Sequence, residues 1–176
     1  MPVDNPLHDL ALAAIDADAQ AKELLIARDR SSLIPFSTIY AYVNNPSFIP
    51  PTDFENLLER DLSAQENLNR LLEKASLAYM PMLAAASSGE VTRRETDVAI
   101  MTLTPSRVEQ GQVYLKIEVK DLNAEMPTQI FVRRAGGPWI RTALPNFVNA
   151  QTQLLLEAKS SIAQVLSVPD GEVYLC

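Results

Sequence analysis

The chain has 176 residues, 47% of them hydrophobic and 21% charged, with a formal net charge of −7. That composition supplies one good core or two small ones and excludes an intrinsically disordered chain. The acidic balance, with Lys and Arg scattered, argues against direct nucleic-acid binding, because neutralising phosphates needs clustered basic side chains. No apolar run reaches the roughly 18 residues of a bilayer span, and Met1-Pro-Val-Asp-Asn-Pro6 lacks the basic and apolar regions of a signal peptide. The single cysteine, Cys176, excludes an intrachain disulfide and fits a reducing compartment. A cytoplasmic protein with no membrane partner is expected.

The first predicted element is a long helix over residues 6–28. Asn5 is its N-cap, Pro6 occupies the first helical position, where a missing N–H costs nothing, and Asp9 favours the positive end of the dipole. Leu7, Leu10, Ala14, Ala17, Ala21 and Leu24 recur at steps of three and four. Alanines in the middle of this seam let a second helix approach closely, either from within the domain or from another copy in a homodimer.

A second helix is expected over 37–44, with Ser37 as cap and Asn44-Asn45-Pro46 ending it. After the stiff Pro50-Pro51, Thr52 and Glu55 have the spacing of a capping box and open a helix over 53–61, with Phe54, Leu57 and Leu58 on one face. Asp61-Leu62-Ser63 reads as a corner. Ser63 and Glu66 repeat the box and start a helix over 63–80, striped by Leu68, Leu71, Leu72 and Ala75.

The run Ile39-Tyr-Ala-Tyr-Val-Asn44, a loop, Asp53-Phe-Glu-Asn-Leu-Leu-Glu-Arg-Asp61, a corner and a last helix resembles the N-terminal helical module of bacterial anti-sigma factors. In that family an AYV or AYL helix runs into an acidic residue and glycine, and a loop, an ExxL-type helix and a polar corner follow. Asn44-Asn45 stands here in place of the acidic residue and glycine. The histidine and paired cysteines of the family's zinc site are missing from the stretch, so the resemblance implies a metal-free variant. It also implies a non-enzymatic regulator of transcription that binds a sigma factor through Tyr40, Val43, Phe54, Leu57 and Leu58.

Ala84-Ala-Ala-Ser-Ser-Gly89 ends the helical pattern, with Gly89 as a left-handed cap or linker residue. Residues 1–88 are thus read as a helical portion and 89–176 as a sheet portion. Residues 97–103 are β-compatible. Val113, Leu115, Ile117 and Val119 alternate with polar neighbours and make the clearest strand. Residues 129–133 and 139–142 flank Ala135-Gly-Gly137, where glycines take the positive φ of a hairpin turn, and Pro138 places the second of these strands at a sheet edge. Trp139 is read as a cover for the sheet or its junction with the helices. A C-terminal helix over 146–166 is expected from Asn146 or Asn149 as cap and from Leu154, Leu155, Ala158, Ile162, Val165 and Leu166 as stripe. Pro169-Asp170-Gly171 then turns the chain into a short terminal strand. The fold class is α+β: an N-terminal helical portion, an antiparallel β-meander of about four strands and a C-terminal helix.

Little catalytic equipment is present, and no cofactor is expected. Gly136-Gly137 lacks the helix and lysine of a phosphate loop, and His8 has no ligand partner at a metal-binding spacing. Ser87-Ser88 and Ser160-Ser161 have no activating base, and nothing near Cys176 in sequence lowers its pKa. Asp16 with Asp18, and Glu55 with Glu59, have the spacings helices use for solvated faces. Arg133, Arg134 and Arg141 form the one local basic cluster, suited to an acidic partner, to an anion or to pairing across strands with Glu118. Two functions remain open. One is the protein-binding regulator; the other is a small-molecule-binding or catalytic protein with a pocket between sheet and C-terminal helix, lined by Tyr114, Phe131, Trp139 and Phe147.

Overall fold

The computed structural model describes residues 33–83 and 90–176. The expected helix over 6–28 with its Leu7-to-Leu24 seam, His8, and the stretch 84–89 lie outside the described residues. Within them the chain forms α1 (Phe36–Asn44), α2 (Phe54–Arg60), α3 (Leu62–Ala75) and β1 (Ala78–Met80). Seven strands and a short helix follow: β2 (Arg93–Glu95), β3 (Ala99–Pro105), β4 (Gln112–Val119), β5 (Gln129–Arg134), β6 (Ile140–Ala143), β7 (Gln151–Glu157), α4 (Ser161–Leu166) and β8 (Gly171–Leu175). The protein is α+β.

The strands make two four-stranded antiparallel sheets, one ordered β1-β8-β5-β6 and the other β2-β3-β4-β7. The hairpins β3–β4 and β5–β6 fall in different sheets, so the chain changes sheet between Val119 and Gln129. Alternation explains the layering. Ile130, Val132, Val173 and Leu175 point one way from the first sheet and meet Met101, Leu115, Ile117 and Leu156 of the second, with Ile162 and Leu166 of α4 in the same core. Phe131 and Tyr174 point the other way and carry the helices through Tyr42, Phe54, Leu68 and Leu72. The central strands are therefore apolar on both faces, as a covered sheet requires, and β8 is buried along its whole length. Truncating one of the fully buried Phe54, Phe131 or Leu68 to alanine removes about 2–5 kcal/mol.

Helix starts differ from expectation in a consistent way. Ser37 lies inside α1, whose first N–H groups at Thr38 and Ile39 bond the carbonyl of Pro35. The Thr52–Glu55 box does not form: Asp53 occupies the N-cap of α2 without a side-chain bond. At α3 the cap is Asp61, two residues earlier than Ser63. Its Oδ1 accepts from the Ala64 N–H at 3.0 Å, and its Oδ2 from Leu33 N at 2.6 Å and Ile34 N at 3.3 Å. One buried carboxylate thus caps a helix and anchors the strand of chain entering α1. Gln65 Nε2 donates to the carbonyls of Leu58 and Glu59 and closes the corner.

Two helices are shorter than expected. α3 stops at Ala75, and residues 78–80 become β1, where Leu77 N bonds Leu175 O and Tyr79 stacks on Tyr174 at 4.5 Å. β1 therefore joins the helical portion to the last strand across the boundary read at residue 88. The C-terminal helix occupies Ser161–Leu166, and the leucines at 154–156 belong to β7, paired with β4 from Gln112↔Glu157 to Glu118↔Gln151. Three consecutive leucines satisfy a period of two as well as of 3.6, and the free edge of β4 selects the strand. A tight hairpin turn feeds β7. Asn149 and Ala150 have φ of 52° and 58° between Val148 and Gln151, whose backbones exchange hydrogen bonds.

Candidate functional site

The residues named from sequence as a partner face are mostly internal. Val43, Phe54 and Leu58 are buried in the core between helices and sheet, Leu57 is half-buried against it, and Tyr40 alone is exposed. The apolar stripe that marks α1 and α2 as amphipathic packs on Phe131, Trp139 and Tyr174 of the chain's own sheet.

The small-molecule pocket named from sequence is not assembled either. Phe131 and Trp139 face the helices, Phe147 packs at the edge of the inter-sheet core, and Tyr114 stands on the outer face of the second sheet opposite Leu155. Strand alternation separates them: Phe131 and Ile130, adjacent in β5, point to opposite layers. Trp139 does join sheet to helices. Its Nε1 donates to Asn69 Oδ1 of α3 at 3.2 Å.

The arginine cluster is dispersed among internal acceptors. Arg133 Nε pairs with Glu172 Oε2 at 2.6 Å, in place of the expected Glu118, and its guanidinium lies 4.3 Å from the Trp139 ring centre. Arg134 pairs with Asp170 at 3.0 Å. Arg141 bonds the carbonyls of Tyr42 at 2.9 Å and Phe48 at 2.5 Å and stacks on the Tyr42 ring at 4.4 Å. Each guanidinium is matched by acceptors of the chain itself, which leaves no anion site among the three. Cys176 is half-buried, and burial pushes its thiol up to about 12. Among the described residues no three His, Cys, Asp or Glu side chains gather to hold a metal ion.

What the fold does create is a cleft of about 360 Å³ between α2 and the β5–β6 hairpin. Glu55 and Glu59, one turn apart on the exposed side of α2, form one wall. Tyr42 and Trp139 form the floor, and Gly136, Gly137 and Pro138 form the opposite rim. The rim follows from the turn: Gly136 takes φ of 69° while Gly137 N bonds Arg134 O at 2.9 Å. Beyond Tyr42 and Glu55 the cleft opens into a second hollow beside Pro50, Ile140 and Arg141.

Charge in this cleft is one-sided. Arg133 also lines it but is neutralised by Glu172, so the field is that of Glu55 and Glu59, neither of which has an ion-pair partner among the described residues. Burial raises the Tyr42 hydroxyl to about 12, with Arg141 opposing and Glu55 reinforcing that shift, so the phenol stays neutral. Two carboxylates over two aromatic rings suit a cation. The spacing of Glu55 and Glu59 was visible in the sequence, but the hairpin that turns their solvated face into a wall is not a local feature. No family model, curated protein or solved structure matches this chain, so the fold and this cleft define it as a helix-backed, two-sheet α+β protein. No described helix is long and apolar enough to cross a membrane.

Proposed function

We propose that the chain is a cytoplasmic, non-enzymatic interaction module that takes a basic side chain of a partner protein into the cleft between α2 and the β5–β6 hairpin. The observation that carries this reading is the pair of carboxylates Glu55 and Glu59, without an ion-pair partner among the described residues, beside Tyr42 and Trp139. A lysine or arginine gains two charge-assisted contacts there, and the net charge of −7 attracts a basic partner at longer range. A transcription sigma subunit is the first partner to try, on the strength of the likeness in residues 36–78 to anti-sigma modules.

The test is binding of arginine- and lysine-containing peptides, and of a sigma subunit from the native host, to the wild type and to a Glu55→Gln/Glu59→Gln variant. Both side chains are exposed, so the variant keeps its fold. Affinity is expected to fall by about tenfold or more in the variant and to weaken steeply with salt. Equal affinity for wild type and variant refutes the cleft as the site.

A further inference from the structure

A separate hollow, of about 350 Å³, lies at the opposite end of the helical layer, where α1 ends at Asn44 and α3 ends at Ala75. We propose that it binds an alkylammonium group, independently of the cleft beside α2. The lining shows why. Five of the N–H groups that border it are already engaged: Ser76 N on Leu72 O, Leu77 N on Leu175 O, Thr128 N and Gln129 N on Cys176 O, and Cys176 N on Gln129 O. No Lys, Arg or His among the described residues lines it. An anion therefore finds no cationic partner among them.

Acceptors, by contrast, are in surplus. Gln129 is 1% exposed, and its amide Nε2 donates to Val43 O, which fixes the amide orientation and leaves Oε1 buried with no donor. A buried carbonyl oxygen without a partner costs about 1–3 kcal/mol unless a donor arrives, and the residue that carries it lines the hollow. The Asn44 amide donates its Nδ2 to Tyr40 O, leaving Oδ1 as a further acceptor. Glu125 adds a carboxylate with no ion-pair partner among the described residues. Two helix carboxyl ends add partial negative charge to the same place. An ammonium group has three donors and no acceptor, which fits this surplus, and Val43, Leu77 and Met126 offer apolar wall to an alkyl chain.

The ammonium can belong to a free amine or to a lysine side chain. The probe is n-butylamine hydrochloride at neutral pH, titrated into isotopically labelled full-length protein and followed by amide NMR, with n-butanol as the uncharged isostere. Saturable shifts at the Gln129 side chain, Ser76 and Leu77 are expected, with a Kd of about 1 mM or tighter and butanol at least about tenfold weaker. Glu125→Gln, an exposed change, is expected to weaken butylamine about threefold or more, and Met126→Trp to fill the hollow and abolish binding. If N-acetyl-lysine methylamide binds as tightly as butylamine, the natural occupant is a lysine side chain; if it binds far more weakly, the occupant is a free amine. Absence of saturation by about 20 mM, equal binding of butanol, or Glu125→Gln with unchanged affinity overturns the proposal. Glu125→Gln decides the matter even if Met126→Trp fails to fold.

Discussion

Replacing Arg141 tests how the helical layer is fixed to the first sheet. Arg141 sits on β6 and reaches across to the loop after α1, donating to Tyr42 O at 2.9 Å, to Phe48 O at 2.5 Å and at 3.4 Å to Asn45 O. Those carbonyls belong to the end of α1 and the turn beyond it, where no further helical N–H is available. Two good charge-assisted bonds at roughly 1.5–3 kcal/mol each, with stacking on Tyr42 of about 0.5–1 kcal/mol, set the upper bound. The site is half-buried, so water recovers part of what Arg141→Ala removes, and a loss of about 3 kcal/mol is expected. Arg141→Lys keeps the charge but cannot span separate carbonyls with one compact ammonium, so about half of that loss is expected. Equilibrium urea unfolding, with the slope checked for constancy, measures both. A loss under about 1 kcal/mol for Arg141→Ala refutes the clamp, and equal losses for Ala and Lys refute its geometric basis.

Gly171 opens β8 with its Cα against the end of α4, and an added Cβ would fall well inside van der Waals contact with the Val165 carbonyl oxygen. Because backbone cannot yield cheaply, Gly171→Ala is expected to cost at least about 1–3 kcal/mol in thermal or urea unfolding. Ala150 lies at φ of 58°, a left-handed conformation that its Cβ disfavours, so Ala150→Gly is expected to stabilise by about 0.5–1 kcal/mol in the same assay. Hydrogen bonds from Lys120 and Arg93 pull the exposed Glu95 carboxyl from 4.5 to about 2. A carboxylate lowered in the folded state contributes stability above its unfolded pKa and loses it as pH falls from about 4.5 towards 2. Unfolding curves of Glu95→Gln across that range are therefore expected to change less with pH than those of the wild type.

How much of this was legible in the sequence depends on whether the signal was local. Val113, Leu115, Ile117 and Val119 gave β4 because strict alternation has one reading, and Gly136 gave the hairpin because its φ of 69° needs glycine. Helix bodies were equally plain, but their starts were not. Two capping-box spacings looked sufficient, yet one start went unbonded and the other went to Asp61, whose second oxygen also holds Leu33 and Ile34, a partner 28 residues away. The leucines of β7 and the residues of β1 were read as helix because their strand state comes from β4 and β8, not from their own pattern. Phe54 and Leu58 looked like a partner face for the same reason: a stripe shows that something covers it and does not say what.

The distribution of charge then links the fold to the proposed cleft. All five arginines carried on strands have internal acceptors: Arg93 with Glu95, Arg133 with Glu172, Arg134 with Asp170, Arg141 with the loop after α1, and Arg94 with the Val168 carbonyl at 2.6 Å. Arg94 is 3% exposed and bonds only carbonyls, with Nε unpartnered, so desolvation lowers its pKa; it holds the chain beyond α4 much as Arg141 holds the chain beyond α1. Cations on the strands are thus committed to acceptors of the chain itself. Glu55, Glu59 and Glu125 have no such commitment, and each borders a hollow lined in part by apolar side chains. An acidic protein that pairs its strand arginines with its own acceptors and leaves carboxylates at its hollows presents recognition surfaces for cations. For that reason both binding tests use basic probes, at opposite ends of the same helical layer.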